Sequence, residues 1–201
     1  MKQILYIITL FIVPVSLYGQ SVKKVTIKNS FPSTKEVFYV LKSNEEVRQG
    51  LYTKSLRGAK LSSGNYENGK RKGIWDYYDN NGNISQKVDY DMFSIISGQD
   101  KSKGPTALGG MSQLYRLIQH TMMYPANARI KGTQGKVIVK FEINEEGEME
   151  NFTITSSVGD GCDEEAIRTL KQTGFEWFPA TDESDKPIRS DVELPITFLL
   201  G

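Results

Sequence analysis

From Ser97 to Pro105 the chain reads Ser-Gly-Gln-Asp-Lys-Ser-Lys-Gly-Pro, and Gly109-Gly110 follow shortly after. Neither strand alternation nor a helical repeat survives such a stretch, so a linker is expected over residues 98–110. One large core is therefore not implied, and two small units, each burying its own apolar side chains, are expected. The length of 201 residues agrees, since domains commonly run about 100–200 residues.

The charge balance narrows the partners. Lys and Arg number 25 against 24 Asp and Glu, a net charge of +1, which predicts no strong electrostatic footprint and no nucleic-acid partner. Hydrophobic residues at 38% and charged residues at 24%, with 10 Tyr, 9 Phe and 2 Trp, describe a foldable chain. One Cys and one His are too few for a Cys/His zinc site, a disulfide framework or an iron–sulfur cluster, so no metal, cofactor or small-molecule substrate is expected.

Residues 1–19 read as a signal peptide. Lys2 precedes the largely apolar run Ile4 to Leu17, which Pro14 interrupts and which ends before Gln20 to Lys24. A spanning helix needs roughly 20 apolar residues. Cleavage after Gly19 is expected, leaving 24 basic against 24 acidic side chains once Lys2 is removed. An uncleaved inner-membrane anchor is the alternative. The sole cysteine, Cys162, is far from the cleavage site, so lipidation there is excluded.

Residues 20–97 read as β-hairpins. Strands are expected at Glu36 to Lys42, Gly50 to Thr53, Gly64 to Glu67, Ile74 to Tyr78 and Ile84 to Tyr90, with turns at Asn68 to Gly73 and Asn80 to Asn83. Gly50-Leu51-Tyr52, Gly64-Asn65-Tyr66 and Gly73-Ile74-Trp75 each place an aromatic residue two positions after a glycine. The stretch from Ser63 to Gly82 resembles MORN-type hairpin repeats, and the likeness extends over about Val47 to Tyr90. So few repeats need further support for stability. Tyr66, Trp75, Tyr77 and Tyr78 are either a small β-sheet core or a binding platform for glycan or protein.

Residues 111–201 read as α+β. Met111, Leu114, Leu117, Ile118, Thr121 and Met122 share one arc of a helix over Met111 to Met123, with Gln113, Arg116 and His120 opposite and Tyr124-Pro125 ending it. Lys136 to Asn144 alternates, with Val137, Val139, Phe141 and Ile143 on one face, as a half-buried strand should. Met149 to Ser156 is its hairpin partner. Asp160 to Asp163 supply capping side chains for a helix from Glu164 to Thr173, whose buried stripe is Ala166, Ile167 and Leu170. A last strand, Asp191 to Leu200, turns Val192, Leu194, Ile196, Phe198 and Leu200 to one side. The order is helix, strand, strand, helix, strand: an antiparallel three-stranded sheet with two helices. Pro195 lacks an N–H, so this last strand should have a free edge.

Tyr124-Pro125-x-x-Ala128, Gly132-x-x-Gly135-x-Val137-x-Val139-x-Phe141-x-Ile143, Gly147, Asp163-Glu164-Glu165-Ala166, Trp177-x-Pro179-Ala180 and Leu194-Pro195-Ile196-x-Phe198 occur in that order. Together they resemble the TonB C-terminal domain over Pro105 to Gly201. The resemblance implies a periplasmic, non-enzymatic domain that binds the periplasmic face of outer-membrane transporters by pairing a strand with a short receptor peptide. A free edge gives that implication a physical basis, because unpaired backbone groups are a template for strand addition. An energy transducer of this family also has an anchor with a polar motif and a long Pro-rich spacer. Here Ile4 to Leu17 holds no His or charge, and 7 prolines are scattered through the chain, which argues against coupling to a proton gradient.

Partner binding is therefore expected along Val192, Glu193, Leu194, Pro195, Ile196, Thr197 and Phe198, with Tyr124 and Pro125 nearby. The partner would be an outer-membrane receptor or another envelope protein, and a homodimer stays open. The alternative is an envelope accessory protein that binds through its hairpin repeats. Other chemistry is weaker. Cys162 starts a helix, but Asp160, Asp163 and Glu164 beside it oppose a thiolate, and nothing in the spacing pairs it with His120. Asp160, Asp163, Glu164 and Glu165 lack the ligand spacing of a calcium loop. Lys70-Arg71-Lys72 lies in a turn, where solvated charges belong.

Overall fold

The computed structural model describes residues 20–30, 32–98 and 103–200, which fall into two compact units divided between residues 99 and 100. The expected signal segment, residues 1–19, lies outside the described residues. Among the described residues, no helix is long and apolar enough to cross a membrane.

The first unit is an antiparallel meander of seven strands whose spatial order is the sequence order. The strands are β1 (Val22–Ser30), β2 (Ser33–Leu41), β3 (Gly50–Leu56), β4 (Ala59–Glu67), β5 (Lys70–Tyr78), β6 (Ile84–Asp89) and β7 (Ser94–Ser97). Arg57-Gly58 and Asn68-Gly69 each hold positive φ at both positions, joining the pairs Leu56 with Ala59 and Glu67 with Lys70. Such turns match the twist of the flanking strands and fix the register. Gly64 serves a different need: a Cβ there would come within 2.2 Å of the Trp75 ring. Trp75 lies on bare backbone, fully buried, and donates from Nε1 to the Asn65 carbonyl at 3.2 Å.

The sheet is longer than the sequence reading at both ends. β1 and β7 were not expected, β2 starts at Ser33 instead of Glu36, β4 at Ala59 instead of Gly64, and β5 at Lys70 instead of Ile74, which moves Lys70-Arg71-Lys72 from the expected turn into a strand. The reason lies in β1 itself: Lys23 and Lys24 interrupt the apolar series Val22, Val25 and Ile27. An edge strand tolerates such charge and hides its alternation.

The second unit contains β8 (Thr106–Ala107), α1 (Met111–Thr121), α2 (Ala126–Lys131), β9 (Gly135–Ile143), β10 (Met149–Ser156), α3 (Cys162–Thr173), β11 (Trp177–Phe178), β12 (Ala180–Thr181), β13 (Pro187–Ile188) and β14 (Ser190–Phe198). Its main sheet is antiparallel in the order β10-β9-β14. Val137, Val139, Phe141 and Ile143 of β9 are buried with Leu194, Ile196 and Phe198 of β14. Leu114, Leu117 and Ile118 of α1 and Ala166 and Leu170 of α3 complete the core.

Four local expectations need correction. The break at 98–110 is narrower, because Lys103 already bonds through Nζ to the Asp182 carbonyl and β8 pairs with β11. Helix α1 stops at Thr121, and Gln113 is buried while Met111 is exposed. Helix α2 was not expected; Pro125 starts it and Gly132 ends it at φ +70. Helix α3 begins at Cys162 after Gly161, with no side-chain capping bond. Asp160 is instead engaged by Lys131 Nζ and Thr133 Oγ1, and Asp163 accepts from the Val158 N–H and the Ser157 hydroxyl.

Candidate functional site

Strand β14 is held on one side only. All nine of its residues pair with β9 without a register shift, from Ser190 opposite Ile143 to Phe198 opposite Gly135. No second strand pairs with it among the described residues. Pro195, opposite Ile138, cannot donate to a ladder, so its nitrogen belongs on the open side. Strand parity then turns the backbone N–H and C=O groups of Asp191, Glu193 and Thr197 outward as well.

The two edges of this sheet differ. Strand β10 has register shifts between Glu150 and Thr153 and again between Ile154 and Ser156, and Asn151 sits at φ +53. Bulges of this kind twist an edge away from further pairing. Strand β14 has no such guard.

Side chains along β14 alternate. Leu194, Ile196 and Phe198 are buried, Val192 is half-buried, and Glu193, Pro195 and Thr197 are exposed. The Phe198 ring meets Tyr124 edge to face, with centroids 5.8 Å apart and planes at 84°. Tyr124 donates its hydroxyl to the Thr133 carbonyl at 2.5 Å. Pro125 stands against Gly161 at the start of α3, where a Cβ would approach it to 3.3 Å. Tyr124 thus reaches one end of β14, whereas Pro125 fixes how α2 meets α3.

The exposed face beside β14 is acidic. Lys140 Nζ bonds Asp191 Oδ2 at 2.7 Å, and Asp191 holds the ammonium above its usual range. Arg189 reaches Glu145 at 3.2 Å and Glu142 at 3.5 Å and also pairs with Glu150, which raises its own pKa. Glu193 stands opposite Lys140 in register, but the ammonium is turned to Asp191. Among the described residues no cation pairs with Glu193.

A second polar device joins the helices beneath the sheet. Arg168 donates to both Glu165 oxygens at 2.6 Å and to the Thr121 carbonyl at the end of α1 at 2.8 Å. Glu165 also accepts the Met123 N–H at 2.5 Å. Burial alone would raise the Glu165 carboxyl, but Arg168, Met123 and Thr169 together hold it below its ordinary value. Sequence reading placed Glu165 in the Asp163-Glu164-Glu165-Ala166 motif and among the acids of a rejected calcium loop, without a partner. The i, i+3 spacing to Arg168 was the available signal.

Cys162 is buried, and burial followed by Asp163, Asp160, Glu164 and Glu165 pushes its thiol up. That environment disfavours a nucleophilic thiolate. In the first unit, Tyr66, Trp75 and Tyr77 are buried and Tyr78 is half-buried. Tyr52, Tyr66 and Trp75 pack on one another at 5.2–5.6 Å. Arg48 lies over Phe38, Tyr52 and Tyr66, and Arg71 over Trp75 and Tyr90. Tyr78 stands apart, with Lys60 Nζ over its ring at 5.5 Å and its hydroxyl 3.1 Å from Ser63 Oγ.

Residues 121–200 match the family model described as Gram-negative bacterial TonB protein C-terminal. No curated protein and no solved structure matches the chain. The matched segment runs from the last residue of α1 to just beyond β14 and leaves out β1 to β7. The second unit therefore carries a TonB C-terminal-like domain, and its unpaired β14 edge lies within the matched residues.

Proposed function

We propose that the protein is a periplasmic, non-enzymatic binding module that docks an extended segment of an outer-membrane transporter or other envelope protein along β14. One observation carries the reading: the matched domain keeps β14 regular and unpaired over nine residues while β10 is blunted by two register shifts. Edge strands are usually guarded against intermolecular pairing, and β14 carries Pro195, Asp191 and Glu193 on its open side but no bulge, so a regular edge beside a bulged one favours use. Backbone bonds from the open side supply affinity, and alternate side chains supply selectivity.

The test uses two proline substitutions one residue apart. Thr197→Pro removes an outward N–H and leaves the β9 ladder intact. Binding of envelope protein from an outer-membrane extract is expected to fall at least tenfold, with the unfolding midpoint nearly unchanged. Ile196→Pro removes an N–H that β9 needs and should unfold the second unit. Undiminished binding by a folded Thr197→Pro protein would sink the proposal and move the site off this edge.

A further inference from the structure

We infer that β14 selects its added strand by charge: the docked segment carries a Lys or Arg directly opposite Glu193, on the same exposed face, with an apolar residue beside Pro195. The inference rests on the edge-docking reading above and adds the chemistry of the partner. Cross-strand neighbours share a face with Cβ atoms about 4.5–5.5 Å apart, so a strand added to β14 places one side chain beside each of Asp191, Glu193, Pro195 and Thr197. The two acids differ in what they offer. Asp191 is already satisfied by Lys140 at 2.7 Å. Glu193 is exposed, and Lys140, its own partner in register, feels its charge but forms its ion pair with Asp191.

The surroundings reinforce the sign. Glu142, Glu145, Glu146, Glu148 and Glu150 lie on β9, β10 and the turn between them. Glu142, Glu145 and Glu150 hold Arg189 among them, and Glu148 accepts from the Asn144 amide. An incoming basic residue meets an excess of negative charge, whereas an acidic one is repelled. Toward the other end, Pro195 pairs with half-buried Ile138, so an apolar side chain there covers exposed carbon. The alternate residues of the added strand turn to the core side, and the one between the Glu193 and Pro195 positions stands opposite Leu194. The recognised pattern is thus basic, apolar, apolar along three successive positions, read from the Glu193 end.

The experiment is selection of random linear dodecapeptides displayed on phage against the full chain, repeated with Glu193→Lys and Thr197→Pro. The expected result is enrichment of Lys or Arg two positions from an apolar residue, changing to Asp or Glu with Glu193→Lys. A synthetic wild-type-selected peptide should bind Glu193→Gln up to about fivefold more weakly, and 0.5 M salt should remove that difference. Peptides that depend on Thr197 but show no charge preference would overturn the charge inference and leave edge docking standing. Peptides indifferent to Thr197→Pro, or no peptides at all, would overturn both.

Discussion

Glu165 shows how a single carboxylate can hold a small domain together. It ties the chain after α1 to α3 through the Met123 N–H and Arg168. Hydrogen bonds to charged groups contribute about 1.5–3 kcal/mol, so Arg168→Ala is expected to destabilise the second unit by about 1–3 kcal/mol in urea unfolding. The pH dependence has a definite sign. Because the folded carboxyl sits below its ordinary value of 4.5, its contribution is complete above that value. It is lost as pH falls through the folded value. Glu165→Gln should flatten that acid limb of the stability curve. An unchanged acid limb would mean that another carboxylate dominates it. Gly64 makes the opposite kind of contribution, through what it lacks. Gly64→Ala forces a Cβ into the Trp75 ring and should cost the first unit about 1–3 kcal/mol.

At the scale of elements, β9 and β14 were legible because apolar and polar residues alternate, with Ile138 the one exception in β9. The free edge was legible from Pro195 alone. Strand β10 concealed its two register shifts, since Asn151 at positive φ marks only the first and a single Asn in a strand is an ambiguous signal. Helix α3 was found but its cap was misassigned, because Asp160 and Asp163 had long-range and upstream partners that no local rule supplies. Helix α2 was missed for a related reason: six residues between a proline and a glycine carry too little periodicity to register. Straightening β10 offers a direct test of the guard. Removal of Asn151 together with Thr155 should restore a regular pairing with β9 and open a second binding edge, seen as a second equivalent of edge-directed peptide in titration calorimetry. A stoichiometry still at one would show that bulges are not what closes that edge.

For the whole molecule, the net charge of +1 hides a division. Residues 20–98 hold 13 Lys and Arg against 8 Asp and Glu, whereas residues 103–200 hold 10 against 15. The near-neutral sum therefore gave a misleading picture of surface electrostatics, and the acidic half is the one that contains β14. The division of the chain was visible in its Gly-Pro-rich break, but the extent of the first sheet was not, because its edge strand is written in lysine and polar residues. Each unit has its own buried core. Scanning calorimetry should accordingly resolve two transitions, with Gly64→Ala lowering one and Arg168→Ala the other. A single transition shifted by both would contradict independent cores.

The most direct measurement is photo-crosslinking in the cell from a reactive residue at Thr197, with mass-spectrometric identification of what is captured. Thr197 is exposed, lies on the open strand, and makes no side-chain bond that the substitution would break among those described. Edge docking predicts a crosslink to an extended periplasmic segment of an outer-membrane transporter or other envelope protein, abolished when Pro replaces the neighbouring edge donor at Glu193. Capture of nothing, with the protein folded and exported, would contradict it, as would capture that persists after Glu193→Pro.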